Sequence, residues 1–242
     1  MAATFAAILT AYLLADFIFQ TKWTIDHKHQ VWVLILHVAV VTSVSYILLG
    51  TFHWRILIVI LLTHFVMDAI KVYGLSDSLG PFLADQFVHF AVLAGLAYYF
   101  PDAANAGWWV TGLKPDLSKW YFASLSLISG LILCIPAGGI LIGKLINPFT
   151  YEIGADGIQG LTQGGKYIGW LERILVMLLL LINQPNGVGF LIAAKSVLRF
   201  GEIKDTSQRK VAEYIIIGTF LSFGWALLIS VLTQKALKYW IP

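Results

Sequence analysis

Apolar residues run along this chain in long blocks separated by short polar turns, and the blocks are long enough to cross a bilayer. A hydrocarbon core of roughly 30 Å takes about 20 residues of helix. The pattern predicts spans at 4–20, 31–49, 56–73 and 82–100, then at 121–142, 166–184, 188–200 and 213–232. The expected fold is therefore all-α, a polytopic transmembrane helical bundle with about seven or eight membrane-embedded helices. Residues 101–120 form the longest polar connection and carry Trp108, Trp109 and Trp120, which suit the headgroup layer. They are expected to divide a four-helix half (1–100) from a second half (121–242). Pro136 predicts a kink in the fifth span. Stretches 21–30 and 147–165 read as loops, the latter in part re-entrant, and 188–200 is short for a full crossing.

Polar exceptions inside the apolar blocks change the picture more than the blocks themselves. His64, Asp68 and Lys71 stand at i, i+4 and i+7 of one predicted helix, so they share a face. Asp85 and His89 repeat the spacing in reverse order on the next helix. Asp16 and Gln20 precede them, and His37 stands alone between. Ionisable groups in hydrocarbon are costly, so these residues should face one another inside the bundle. His27, His29 and His53 fall in loops and are expected to be solvated.

Composition agrees with the membrane reading. The chain is 59% hydrophobic and 12% charged, with mean hydropathy +0.80, whereas soluble domains carry about 25% charged residues. A formal net charge of +3 is too small and too scattered for nucleic acid. The single Cys134 permits no internal disulfide. Residues 1–4 hold no basic residue ahead of the first apolar block, and Asp16 interrupts that block, so it reads as a retained helix and not a signal peptide.

What chemistry would want these side chains? Helical bundles build metal centres from inward carboxylates and imidazoles, a donor mixture that suits zinc, iron or manganese. A catalytic zinc uses about three protein ligands and an open water position. The spacing nominates His64, Asp68, His89 and His37 as ligands, with Asp16 or Asp85 as base and Lys71 holding a phosphate or neutralising a carboxylate. The alternative is a hydrogen-bonded network that only fixes helix packing, with Gln20 and Gln86 joining it. A second group, Glu172, Arg173, Lys195, Arg199 and Glu213, reads as structural ion pairs or as a pocket for an anionic headgroup or phosphate. Gly164, Gly165 and Lys166 lack the following hydroxyl of a phosphate loop.

Asp16-Phe17 with Gln20, then His37, then His64, Asp68 and Lys71, then Asp85-Gln86 with His89, together resemble the bacterial domain-of-unknown-function 3307 family of multi-pass membrane proteins. Gly165 to Arg173 and Gly189 to Phe200 look like the second half of its longer members, and only about 101–148 falls outside the resemblance. Family members often carry His four residues before the first-helix Asp, where this chain has Tyr12, which argues against a second metal. The resemblance implies a multi-pass protein of the bacterial inner membrane and supplies no activity. The residues favour a metal-dependent membrane hydrolase of a lipid or phosphoester, using a divalent metal such as zinc. An ion- or proton-coupled transporter is the second expectation, and a structural or regulatory subunit the third. The bilayer is the expected partner.

Overall fold

In a membrane, only a helix satisfies the backbone of an isolated apolar segment, because no water is present to take the amide and carbonyl groups. The computed structural model follows that rule. It describes the backbone of residues 1–112, 114–153, 163–200 and 206–241, with side chains other than those of 115, 151–153, 198–200 and 206–208. Among these residues every regular element is helical: α1 (Ala2–Leu14), α2 (Lys22–His27), α3 (Val31–Leu49), α4 (Trp54–Gly74), α5 (Leu79–Tyr99), α6 (Trp108–Thr111), α7 (Pro115–Ile132), α8 (Gly138–Ile153), α9 (Gly164–Leu181), α10 (Asn186–Phe200) and α11 (Thr206–Trp240), with π-helical turns at Ala15–Phe19 and Leu133–Ala137.

Among the described residues, six helices are long and apolar enough to cross a membrane: Ala2–Phe19, Val31–Leu49, Trp54–Gly74, Leu79–Tyr99, Asp116–Thr150 and Arg209–Trp240. The other two expected spans exist as helices α9 and α10 of 18 and 15 residues. Lys166, Glu172 and Arg173 make the first of these too charged to count by composition, and the second is too short. Exposed Ile35, Ile58, Leu62, Val66, Phe87 and Phe90 cover α3 to α5, an apolar exterior that suits lipid and not water.

Three predicted boundaries shift. Residues 21–30 hold a short helix, α2, because Thr21 caps it by accepting from the Thr24 amide at 3.3 Å. The fifth span does not stop at 142: the helix runs on through Pro148 to Ile153, so 147–153 is no loop, while 154–162 lies outside the described residues. The last helix starts at Thr206 and ends at Trp240, 35 residues in all. The charged stretch 201–205 is also outside the description.

By packing, the chain forms two compact units. The first comprises Met1–Ile132 with Ala236–Pro242, and the second Leu133–Lys235. In the first, α1 is the axis against which α3, α5 and α7 pack. Ala3, Ala6, Ala7, Ala11 and Ala15 are all buried along it, and small side chains let helices approach closely. Thr10 ties α1 to α7 through Ser129, their hydroxyls 2.8 Å apart.

One end of this unit is closed by backbone-to-side-chain bonds. Helix α3 ends at Gly50 with φ +69°, the left-handed conformation that costs a residue bearing Cβ. The last carbonyls of α3 are then taken by aromatic donors: Trp109 Nε1 donates to Ile47 O at 2.6 Å and Tyr121 Oη to Leu48 O at 2.6 Å. The Trp108 amide donates to Gly50 O at 2.7 Å. A Cβ on Gly50 would lie 2.8 Å from Trp109 Cδ1 and 3.1 Å from the Trp108 nitrogen. Gly50→Ala is therefore expected to cost about 1–3 kcal/mol, read as a lower unfolding temperature of the detergent-purified protein. A variant as stable as the parent would contradict this account of the turn.

The second unit is organised by the widened turn Leu133–Ala137, which contains Pro136. Proline lacks the N–H that would close the ladder, and a π turn leaves carbonyls free to look outward. Side chains take two of them: Trp225 Nε1 donates to Leu133 O at 2.8 Å, and an Arg173 Nη donates to Ile135 O at 3.1 Å.

Candidate functional site

Five polypeptide elements deliver the clustered polar side chains of the first unit. Asp16 stands on the π turn that ends the first helix, where the extra residue per turn rotates the chain relative to an ordinary helix. His37 lies on α3, His64 and Asp68 lie one turn apart on α4, and Asp85 and His89 lie one turn apart on α5. Tyr12 projects from α1. His37, His64, Asp68, Asp85, His89 and Tyr12 are all buried, none more than 4% exposed.

The innermost group is a triangle of ligand-type atoms. His37 Nε2 and His64 Nε2 stand 3.0 Å apart. Asp16 Oδ1 is 3.2 Å from the first and 3.4 Å from the second. Two imidazole nitrogens facing each other can share only one proton between them, and a carboxylate oxygen brings none. Asp16 Oδ1 accordingly receives no well-directed hydrogen bond. The arrangement instead points three lone-pair atoms at a common centre. A tetrahedral ion with bonds of about 2.0–2.1 Å separates its ligand atoms by roughly 3.4 Å, and the three observed edges, 3.0–3.4 Å, come close to that. Asp16, His37 and His64 form a group able to hold a metal ion.

Asp68 borders the triangle. Its Oδ2 is 3.4 Å from both imidazole nitrogens and 2.7 Å from Lys28 Nζ. Lys28 follows α2 and turns its side chain inward, with only 8% of the residue exposed. The Gln20 amide spans from the Asp16 carbonyl, 3.2 Å away, to Lys28 Nζ at 2.6 Å. Tyr73 Oη donates to His29 O at 2.8 Å and so ties the end of α4 to the same turn.

A second group adjoins the first. Asp85 accepts from Lys71 Nζ at 2.8 Å and from the Gln86 amide at 3.1 Å, and its other oxygen is 3.3 Å from His89 Nε2. The His89 ring lies against His64, with centroids 4.5 Å apart, and against Tyr12 at 5.1 Å. Tyr12 Oη is buried without a hydrogen-bond partner. A cavity of about 10 Å³ lies beside Tyr12, His64 and His89, with Ser45 and Thr63 on its wall, about the room that one water needs.

The sequence-nominated residues are thus neighbours. Asp16, one of the two residues nominated as base, stands beside His37 and His64; Asp85, the other, lies beside His89 and Lys71, and the His89 ring also packs on His64. Lys28 was missed. No spacing marks it, but a signal existed: Asp16, Asp68 and Asp85 in four apolar blocks require more cation than Lys71 alone supplies. His53, expected in solvent, is half-buried with its ring 4.6 Å from Phe100.

Among the described residues, the members of the second-unit group lie in separate contacts. Glu172 pairs with Lys195 at 2.6 Å, and Arg209 pairs with Glu213 at 3.0 Å in an exposed i, i+4 contact. Arg173 is buried and donates to Ser222 Oγ at 3.0 Å as well as to Ile135 O. The Arg199 side chain lies outside the description.

No curated protein and no solved structure matches the chain. Every member of the polar cluster comes from one contiguous stretch, and that stretch, residues 4–111, matches the model of the family described as "Protein of unknown function (DUF3307)", the family its motifs resemble.

Proposed function

We propose that the first unit holds one divalent metal ion through Asp16, His37 and His64, and that the site is hydrolytic. The observation that carries the reading is the triangle of 3.0, 3.2 and 3.4 Å among three buried ligand atoms. Charge supports it independently. With neutral imidazoles, the carboxylates of Asp16, Asp68 and Asp85 exceed the ammonium groups of Lys28 and Lys71 by one negative charge. A bound divalent ion with a deprotonated water would cancel that charge inside a medium that penalises any excess. Asp16, His37 and His64 would hold the ion, and it would supply an activated water for hydrolysis.

In this reading Asp68, whose Oδ2 is 3.4 Å from both imidazole nitrogens, would accept the proton, with Lys28 fixing its carboxylate. Lys71 is the most exposed charged member of the cluster and lies one turn from the end of α4, where a phosphate-bearing lipid or phosphoester would enter. Zinc is the first candidate by donor type.

Depth favours a second reading. His64 lies ten residues from the end of α4 and His89 ten residues from the start of α5, about 15 Å along each helix and near the middle of a bilayer core. Transport sites occupy that level, and the same side chains would then pass protons or ions.

Metal analysis of the purified protein tests the metal site. One equivalent of tightly held metal is expected in the parent and in His89→Ala. Asp16→Asn, His37→Ala and His64→Ala are expected to lose it while keeping their helical circular dichroism. A parent that takes up no metal after incubation with zinc would sink the proposal, as would equal metal content in all variants.

A further inference from the structure

At the end of the first unit opposite Lys71, a groove of about 590 Å³ runs between the start of α4 and the end of α5. Its walls are Val59, Val92, Leu96, Tyr99 and Phe100, and Arg55 stands at its mouth. Gly95 lies in the groove, and a Cβ there would find no atom within 4 Å. From Phe100 to Val92 the groove descends eight residues of helix, about 12 Å. We infer that this groove is a binding site for an anionic phospholipid, its phosphate on Arg55 and one acyl chain lying along Val59, Gly95 and Val92.

The charge at the mouth argues for that occupant. The Arg55 guanidinium carbon lies 5.4 Å from the Trp54 ring centroid, and among the described residues no carboxylate forms an ion pair with it. Trp54 and Tyr99 are exposed beside it, which places this end in the headgroup layer where such aromatic residues collect. An unmatched cation at that level attracts anionic headgroups. Below it the walls are apolar, which a free anion cannot use and an acyl chain can.

The position of the chain end adds a consequence. Val92 lines the groove on one side and, on the other, the small cavity beside Tyr12, His64 and His89. A seated chain therefore packs against the residue that separates lipid from the imidazole layer. The inference is independent of whether the cluster binds metal.

Native mass spectrometry of the full-length protein, released from vesicles containing equal phosphatidylglycerol and phosphatidylcholine, tests it. The parent should retain one phosphatidylglycerol in preference to phosphatidylcholine by about fivefold or more. Arg55→Gln should abolish the preference and Arg55→Lys should keep it. Gly95→Leu, which fills the groove, should remove both lipid adducts. Equal retention of the two lipids by the parent would overturn the inference, as would an unchanged preference in Arg55→Gln. Displacement of the lipid by excess inorganic phosphate would overturn it too, since the site would then read only the anion.

Discussion

Asp68→Ala is expected to destabilise the first unit by about 3–5 kcal/mol, the usual consequence of removing one partner from a buried ion pair. Asp68 Oδ2 sits 2.7 Å from Lys28 Nζ and 3.4 Å from two imidazole nitrogens, so its loss strands a buried ammonium group and the side of a polar cluster. The Coulomb attraction alone does not set the size; the uncompensated charge left behind does. For that reason the double variant Lys28→Met, Asp68→Leu should recover more than half of the loss, because an apolar pair replaces both charges at once. Thermal unfolding followed by tryptophan fluorescence checks this. A fall on the order of 10 °C is expected for the single variant. A single variant within about 1 kcal/mol of the parent would show that Lys28 escapes to water and that the pair is not part of the packed site.

Arg173→Ala carries the second large effect, about 2–4 kcal/mol of lost stability in the second unit. Two opposing contributions meet here. Removing a guanidinium that is 3% exposed relieves the cost of holding a charge away from water. Against that, Ser222 Oγ and the Ile135 carbonyl lose their donor, and the latter belongs to a turn whose ladder Pro136 has already broken. The side chain also fills space made for it: Cβ atoms on Gly139 and Gly169 would each come within 3.1 Å of the guanidinium. The lost hydrogen bonds and the cavity together outweigh the relief. Arg173→Met, which keeps most of the volume but neither bond, should fall between parent and alanine variant. If Arg173→Met equals or exceeds the parent in stability, the cost of the charge dominates and the clamp on the widened turn is not what Arg173 is for.

Much of this architecture is written in the chain. The apolar blocks mark the helices because length and hydropathy alone decide what can cross a bilayer. The meeting of Asp16, His37, His64 and Asp68 is legible because ionisable groups within apolar helices have only one another for company. Their exact partners are not. Helical spacing pairs His64 with Asp68 and His89 with Asp85, and both pairs are present. Asp16 joins His37 and His64 through a π turn, a one-residue widening that no spacing in 4–20 announces. Lys28 reaches Asp68 from a turn that looks like any polar loop. The helix ends drifted for a related reason: 147–153 and 233–240 carry polar residues, which hydropathy reads as the end of a span. A helix continues into the interface as long as its backbone bonds are kept.

The ion pair between Lys71 and Asp85 bears on how the first unit is made. These residues belong to consecutive helices, α4 and α5, joined by only Leu75 to Ser78, and their 2.8 Å contact closes across that short link. Both partners emerge from the ribosome within fifteen residues of each other. The hairpin can therefore enter the bilayer with this charge pair already neutralised, whereas Lys28 and Asp68, 40 residues apart, and Asp16 and His64, 48 residues apart, meet only across elements with another helix between them. Biogenesis thus has an order built into it, with the α4–α5 hairpin as the piece best equipped to insert alone.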